Sequence, residues 1–572
     1  MKDLIIFFVI VCLELYHLYR LNKEYKYIFK LNISLFVFIS IVDIITFGSH
    51  LIGALSYDYL ILIIISILLV KVKKYTNEMI HSYFFISIVG FVLLLPIVYL
   101  LYFMIFTNPL TTSDMFAIYQ SNINESLEFL SQFIPFYSFI PIFLLVFVLI
   151  KMNKKYLNSI FAKKLDIQLM LPLLLSIGII YYIAGHTKTT SLYTLPLFSY
   201  KEYTTQLKLF KKTQSKVTEK NFEATKKEKG ELTVVVIGES LNRYHMSLYG
   251  YKRDTTPHLK KMKNNLVVYT NTYSNDVETM GVLSYALTQT NQLNNIKYFN
   301  AISLANMYKK AGYKTIWLTN QQLYGKWDNL VAVMAHSVDK LISFNNNMGE
   351  LTFDAKYYDG KILEYLNTEL KNKTSKNKVI FIHLMGSHGA YKLRYPKEYE
   401  KYKVTLIDAI KDKVHINKTK VHIINAYDNS IYYNDYVVSS IIKKLQNINE
   451  PVSMIYFSDH SEDLTYYKGH GRTNFTYELT QIPLFFYFSQ EYKEKYPTKH
   501  NNIVKHKDKL YCNDMVYDTM IGISNIITDK YNPTFDLSSN KFKLLPKDAY
   551  TMHRLKKYSV KENPYYKEMG NE

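Results

Sequence analysis

LTVVVIGE (232–239) runs through β-branched and apolar residues and stops at a Gly-Glu pair. A run of this length without polar alternation is what a strand buried on both faces requires. Four more runs of the same kind follow: KTIWLTN (314–320), NKVIFIHLM (377–385), VSMIYFSD (452–459) and IPLFFYF (482–488). Helical stretches lie between them, such as 301–312 and 429–446. Strand–helix alternation predicts an α/β domain over 231–572, a largely parallel sheet with helices on both faces. In such a sheet the carboxyl ends of the strands share one rim, and chemistry gathers just beyond it. No repeat of 20–50 residues runs through the chain.

Upstream the composition changes. Residues 1–185 are mostly apolar, with runs near 4–20, 31–47, 55–72, 83–106, 134–150 and 168–185. Each approaches or reaches the roughly 20 residues of a spanning helix. A secretory signal is a poor reading of the first, because no A-x-A-like site follows and further apolar runs do. The loops at 20–30, 71–74 and 151–164 are basic, whereas 48–59 and 107–133 carry no Lys or Arg. The positive-inside rule puts the basic loops in the cytoplasm and everything after 185 outside. A transmembrane helical domain of five or six spans is therefore expected at 1–185, the first run being the weakest span. Residues 186–230 form a connector, Lys-rich from 201. It reads equally as a solvated linker or as an amphipathic helix on the membrane surface.

The 572 residues carry 69 Lys+Arg against 48 Asp+Glu, a formal charge of +21. Such an excess suits either nucleic acid or anionic lipid. The apolar first third favours lipid, and no nucleic-acid partner is expected. Aromatic residues at 15% exclude a disordered chain, and 19 Gly with 14 Pro exclude a collagenous one. The two cysteines, Cys12 and Cys512, build neither a disulfide framework nor a Cys-based zinc site. Any metal must be held by His and carboxylates.

The strand ends supply them. Strand 232–239 ends in Gly238-Glu239-Ser240, strand 377–385 runs into Gly386-Ser387-His388-Gly389, and strand 452–459 ends in Ser458-Asp459-His460, with His470 following in Gly469-His470-Gly471-Arg472. Singly each has an ordinary reading: a Glu caps the next helix, an Asp-His pair makes a turn. Together they sit on one rim, where Glu239, Asp459 and His460 can offer three protein ligands to a catalytic zinc and leave a position open for a reacting oxygen. The hydroxyls within reach are Ser240, Ser274, Thr279 and Ser284. GESLN lacks the second glycine of a nucleophile elbow, which weakens a Ser-His-Asp hydrolase. Thr279 precedes an apolar, helix-like run, so it stands at a helix N-terminus, either as a plain cap or where backbone N–H groups favour a phosphate. Phosphate loops, G-x-G-x-x-G after a strand and H-E-x-x-H do not occur.

VVVIGESLNRYHMSLYGYKRDTTPHL (234–259) resembles the signature of bacterial phosphoethanolamine transferases, membrane enzymes of the alkaline phosphatase/sulfatase superfamily that decorate lipopolysaccharide. FIHLMGSHGAYKLRYP (381–396) and YFSDHSEDLTYYKGHGR (456–472) resemble two further blocks of that family, in the same order. WLTNQQLYGKWDN (317–329) and AIYQSNINESLEF (117–129) resemble the branch acting on core sugars more than the lipid A branch.

The resemblance implies a metal site of Glu239, Thr279, Asp459 and His460, with Thr279 the nucleophile. It implies acid–base or second-metal roles for His388 and His470, and substrate binding by Lys326, Gln120, Ser121, Asn122 and Glu125. One tightly held zinc is implied, with room for a second. The implied reaction moves phosphoethanolamine from phosphatidylethanolamine to lipopolysaccharide, on a core sugar or on lipid A, through a covalent threonine intermediate, and releases diacylglycerol. The implied setting is a monomer in the bacterial inner membrane, multi-pass, with its catalytic domain in the periplasm, and a link to polymyxin resistance. Two features depart from the family: the external domain has Cys512 alone where many relatives have disulfides, and six apolar runs stand against five family helices. A glycerophosphotransferase of the same superfamily is the rival enzyme, and a non-catalytic membrane scaffold or sensor is the rival of another class. A sulfatase is disfavoured, because TMGVL (279–283) is no C/S-x-P-x-R.

Overall fold

The computed structural model describes residues 26–47, 77–121, 139–157, 192–217, 222–321, 329–345, 357–372, 376–403, 418–465 and 471–566, with single positions at 323 and among 58–69 and 126–134. The chain divides into two compact units: Met1–Tyr119 with Leu130–Tyr203, and Gln120–Phe129 with Thr204–Glu572.

The described residues of the first unit are helical. Its described helices are α1 (Lys26–Phe47), α2 (Glu78–Phe106), α3 (Thr112–Gln120) and α4 (Ile140–Leu157). Asn77 caps α2 by accepting from Ile80 N at 2.9 Å, and Thr107 ends it in the left-handed conformation. Phe85, Val89 and Val92 of α2 pack with Leu35 and Ile39 of α1 and with Leu145 and Leu149 of α4. Gly90 lets α2 and α4 close, since a Cβ there would stand 3.2 Å from Leu149 Cδ1. The opposite faces turn Val37, Ile41, Phe91, Met104, Phe143 and Phe147 outward. Exposed apolar surface on that scale is uncommon in a soluble monomer. Among the described residues, α2 is the helix long and apolar enough to cross a membrane, at 29 residues. The apolar runs at 4–20 and 168–185 lie outside the described residues, and 55–72 is described only at single positions.

Within the connector, Thr194–Val217 forms helix α5. Its later turns belong to the second unit: Phe210 is fully buried there, and the buried Gln214 donates to Ala301 O at 2.8 Å.

The second unit is built on a seven-stranded sheet. Its strands are β1 (Leu232–Gly238), β2 (Leu266–Tyr269), β3 (Lys314–Thr319), β4 (Lys340–Ser343), β5 (Lys378–His383), β6 (Val452–Ser458) and β7 (Leu484–Phe488). Their order is β2-β7-β6-β1-β5-β3-β4. Side chains alternate between the two faces, and both faces are buried, which is why the runs read as continuously apolar. Val235, Ile237, Phe381, Ile455 and Phe457 join one core, with Met307 and Tyr308 from helix α7 (Leu304–Lys310). Between them lies α6 (Thr279–Ala286) in chain order. Val234, Val236, Ile380, Ile382 and Met454 join the other core, with Val437, Ile441 and Leu445 from α8 (Lys418–Gln446). Each such side chain contributes roughly 1.5–3 kcal/mol of burial.

The largely parallel sheet expected from the alternation is mixed. Strands β6, β1, β5, β3 and β4 are mutually parallel, but β7 runs antiparallel to β6, and β2 antiparallel to β7. The cause is the connection. The chain leaves β6 at the rim and enters β7 from that same rim, and the described residues between them form no crossover α-helix to carry it back. The register of the central pair sets the site: Gly238 stands opposite Ser458, so the next residues, Glu239 and Asp459, emerge side by side.

Candidate active site

Glu239 leaves β1 and is followed by Ser240 at φ 54°, a left-handed conformation that a residue with a side chain adopts only when its surroundings enforce it. Three bonds do so. Tyr427 Oη donates to Ser240 O at 2.7 Å and accepts from Asn242 N at 2.8 Å, and Ser240 N donates to Asp459 Oδ1 at 2.9 Å. Ser240 Oγ donates to Glu239 Oε1 at 2.9 Å.

Asp459 is fully buried. Its Oδ1 also accepts from His460 N at 2.7 Å, while Oδ2 has no hydrogen-bond partner. His460 Nδ1 lies 3.0 Å from Ser461 O, a bond it makes by donating. The Nε2 lone pair is then left facing Asp459 Oδ2 at 3.5 Å and Glu239 Oε1 at 3.6 Å. One ligand atom from each of Glu239, Asp459 and His460 lies within 4.8 Å of the others. Burial, and next the charge of Asp459, push the Glu239 carboxyl well above its ordinary range. Three lone-pair donors converging in a dry site repel one another unless a cation or protons come between them. The donor set of two carboxylate oxygens and one imidazole nitrogen fits zinc, and the Ser461 carbonyl fixes the imidazole tautomer as metal-ligating histidines require.

Thr279 is the first residue of α6, with Glu278 at the cap position. Its Oγ1 stands 3.3 and 3.4 Å from the Glu239 oxygens and 3.4 Å from His460 Nε2. Of the other hydroxyls, Ser284 donates to Gly281 O within its own helix and Ser274 to Asp276 O. Ser240 meets Glu239 but not His460 in its bonds.

The loop after β5 is pressed onto Glu239. Gly386, at φ 51°, has no room for a Cβ, which would fall 2.8 Å from Glu239 O, and Ser387 N donates to that same oxygen at 3.0 Å. Asp359 accepts from Met385 N and Gly386 N, both at 2.9 Å, while Arg394 Nε donates to the carbonyls of His388 and Gly389, both at 3.0 Å. His388 is thereby held on the rim, half-buried. His383, at the end of β5, is different: burial lowers its pKa to about 4, so it stays neutral.

Gln120 closes α3 and Ser121 follows it. His470, Lys326, Asn122 and Glu125 lie outside the described residues. The sequence reading missed Gln321, whose Nε2 donates to Leu384 O at 3.0 Å and lies 3.5 Å from Glu239 Oε2. Its position just past β3 was the available signal. It also missed Asn513, which donates to Asp459 O and accepts from Asn275 N, both at 2.9 Å, and so ties Asp459, just past β6, to the segment before Thr279. No local pattern marks that residue.

The sulfatase family matches residues 231–521. The phosphoethanolamine transferase EptC of Escherichia coli K12 is 30% identical over 522 residues, covering 83% of this chain and 85% of that protein. The C-terminal periplasmic domain of E. coli EptC, solved in complex with zinc, is 32% identical with a TM-score of 0.52, covering 58% of this chain and 92% of that one. The integral membrane lipooligosaccharide phosphoethanolamine transferase EptA of Neisseria meningitidis, 18% identical, shares the fold over 88% of this chain and 95% of its own, with a TM-score of 0.56.

Proposed function

Since the chain belongs to the phosphoethanolamine transferases of the sulfatase family, we propose that it transfers phosphoethanolamine from phosphatidylethanolamine to lipopolysaccharide through a covalent intermediate on Thr279. The observation that carries the reading is the Thr279 hydroxyl, at a helix start, 3.3–3.4 Å from both Glu239 and His460.

Glu239, Asp459 and His460 are the residues that would hold zinc. When bound, zinc supplies Lewis-acid chemistry, favouring the deprotonated hydroxyl and neutralising phosphoryl oxygens. Thr279 Oγ gives up its proton, matching the one the leaving oxygen takes up, and attacks the donor phosphorus, forming a P–O bond as the P–O bond to diacylglycerol breaks. The departing oxygen takes up a proton, a task suited to His388 on the rim or to His470. An acceptor hydroxyl or phosphate then gives up its proton, attacks the same phosphorus and frees Thr279. Backbone N–H groups at the start of α6 favour the phosphoryl oxygens. Lys326, Gln120, Ser121, Asn122 and Glu125 are assigned to holding the lipid substrates.

Both substrates are lipids, which gives the helical unit a purpose. We assign the chain to the bacterial inner membrane, multi-pass, with the catalytic unit in the periplasm, acting as a monomer. A phosphatase reporter active only in the periplasm should be silent when fused at Lys154 and active at Lys216. The reverse pattern would overturn the orientation. The added ammonium group lowers the negative charge of the cell surface, which weakens cationic peptides such as polymyxin.

Mass spectrometry of lipopolysaccharide from cells with and without the gene tests the function. Loss of a phosphoethanolamine unit is expected, and its place on core sugar or lipid A names the acceptor. A lost glycerophosphate, or unchanged lipopolysaccharide, would refute the reading.

A further inference from the structure

Met552, His553 and Arg554 have φ values of 56°, 51° and 73°. Three successive non-glycine residues in the left-handed region form an improbable turn, since residues with a side chain visit that region singly. Strain of this kind persists only where the surroundings over-determine it. Here they do. Thr551 Oγ1 donates to Ser274 O at 2.8 Å, His553 N to Asn275 O at 3.1 Å and Arg554 N to Gln292 Oε1 at 3.0 Å. Met552 is buried with Val277 and Leu479. The turn is thus strapped onto residues 274–277, the segment that leads into Thr279, and it lies beyond the 231–521 sulfatase match.

The strap delivers one imidazole. His553 Nε2 donates to Gly281 O at 3.0 Å and lies 3.2 Å from Asp276 Oδ2. Its Nδ1 accepts from Arg472 Nη2 at 2.9 Å. The ring stacks on Tyr285 with centroids 3.9 Å apart and planes at 9°. These partners assign a neutral ring protonated at Nε2. Burial, opposed by Asp276 and aided by the Arg472 charge, agrees, lowering the pKa to about 4. Arg472 in turn grips the same segment: Nε donates to Asp276 Oδ1 at 3.0 Å, Nη2 meets Asp276 Oδ2, and its backbone N donates to Glu278 Oε1 at 3.2 Å. A Cβ at Gly281 would collide with Asp276 Oδ2, the oxygen that Arg472 holds, so a larger residue there would displace this contact. Asp276, Glu278, Gly281 and Tyr285 flank Thr279 on both sides, so every one of these contacts bears on the turn that carries its hydroxyl.

We propose that His553 and Arg472 are positioning residues for the transfer reaction: the strap at 552–554 clamps the first turn of α6 and sets where the Thr279 hydroxyl stands relative to Glu239 and His460. The inference rests on Thr279 being the nucleophile. A displacement of about 1 Å at a reacting group can cost on the order of a hundredfold in rate.

The test uses the full chain purified in detergent, with phosphatidylethanolamine labelled in its headgroup. His553→Phe keeps an aromatic ring against Tyr285 and removes both nitrogens. The expected result is a fall in kcat of roughly ten- to a hundredfold, with KM for the donor, zinc content and thermal midpoint close to wild type. Single-turnover labelling of Thr279, read by mass spectrometry, should slow by the same factor. His553→Gln, which restores a donor, should recover part of the rate. His553→Phe combined with Arg472→Gln should be no slower than the slower single variant, because the two act through one turn. Wild-type kcat and labelling in His553→Phe, or losses that multiply in the double variant, would overturn the proposal. So would a loss that merely follows zinc or folding and is not recovered in His553→Gln. If wild-type protein itself forms no adduct on Thr279, the functional reading fails and takes this inference with it. Equal labelling rates in wild type and His553→Phe remove this inference alone.

Discussion

Thr279→Ala is expected to lower phosphoethanolamine transfer to near background, a loss on the order of 10⁴-fold or more, because no covalent intermediate can form. The same change should leave the fold and the zinc site largely intact. The hydroxyl's contacts with Glu239 and His460 are long, at 3.3–3.4 Å, and Glu278 rather than Thr279 holds the cap position of α6. Losing such a hydroxyl costs about 1 kcal/mol. Thr279→Ser should retain part of the activity, since its hydroxyl can reach the same place. Incubated with a phosphatidylethanolamine analogue and no acceptor, wild-type protein should gain a phosphoethanolamine mass on the peptide containing Thr279. An adduct on Ser240 or Ser284 would move the nucleophile while leaving the enzyme class. Wild-type transfer by Thr279→Ala would end the covalent mechanism.

Asp459→Ala is expected to weaken zinc retention by about 100-fold or more, beyond what loss of an outer-shell partner costs. Two effects combine. One of the three residues proposed to hold zinc is removed, and Ser240 N and His460 N lose the oxygen that aligns Glu239 and His460. Asp459→Asn keeps an acceptor for those two donors and loses the charge, so it should fall between alanine and wild type. The metal-free proteins should show the opposite trend. Without a cation the buried carboxylates repel, and Asp459 adds to the burial that raises the Glu239 pKa. Zinc-stripped Asp459→Asn, which keeps the acceptor and loses the charge, should therefore melt no lower than zinc-stripped wild type. Elemental analysis and thermal melting on the same preparations read both. Unchanged zinc content in Asp459→Ala would sink the metal assignment.

The cluster of Glu239, Asp459 and His460 could be read from the chain because parallel strands put successive ends on one rim. Burial on both faces makes each strand a continuous apolar run, and the first polar residue after the run marks the rim. β1, β3, β5, β6 and β7 were all visible in this way. β2 and β4 were not, being four residues each, too short for any period to stand out. The antiparallel direction of β7 was hidden too, because a strand's own residues do not record the direction of its neighbour.

By itself the sequence determined which stretches are buried, which end of each strand turns polar and that the first third is apolar. Those properties depend on side chains a few residues apart, whose burial energies act along one strand or one helix face. The tertiary structure alone decided which distant groups meet. Thr279 reaches a nitrogen 181 residues away, on His460, and His553 reaches the carbonyl of Gly281 across 272 residues. The left-handed Ser240 and the strained turn at 552–554 exist only because Tyr427, Asp459, Asn275 and Gln292 converge on them. Such contacts follow from strand register and loop packing, which are settled by the sum of interactions over the whole unit and leave no local pattern in the chain.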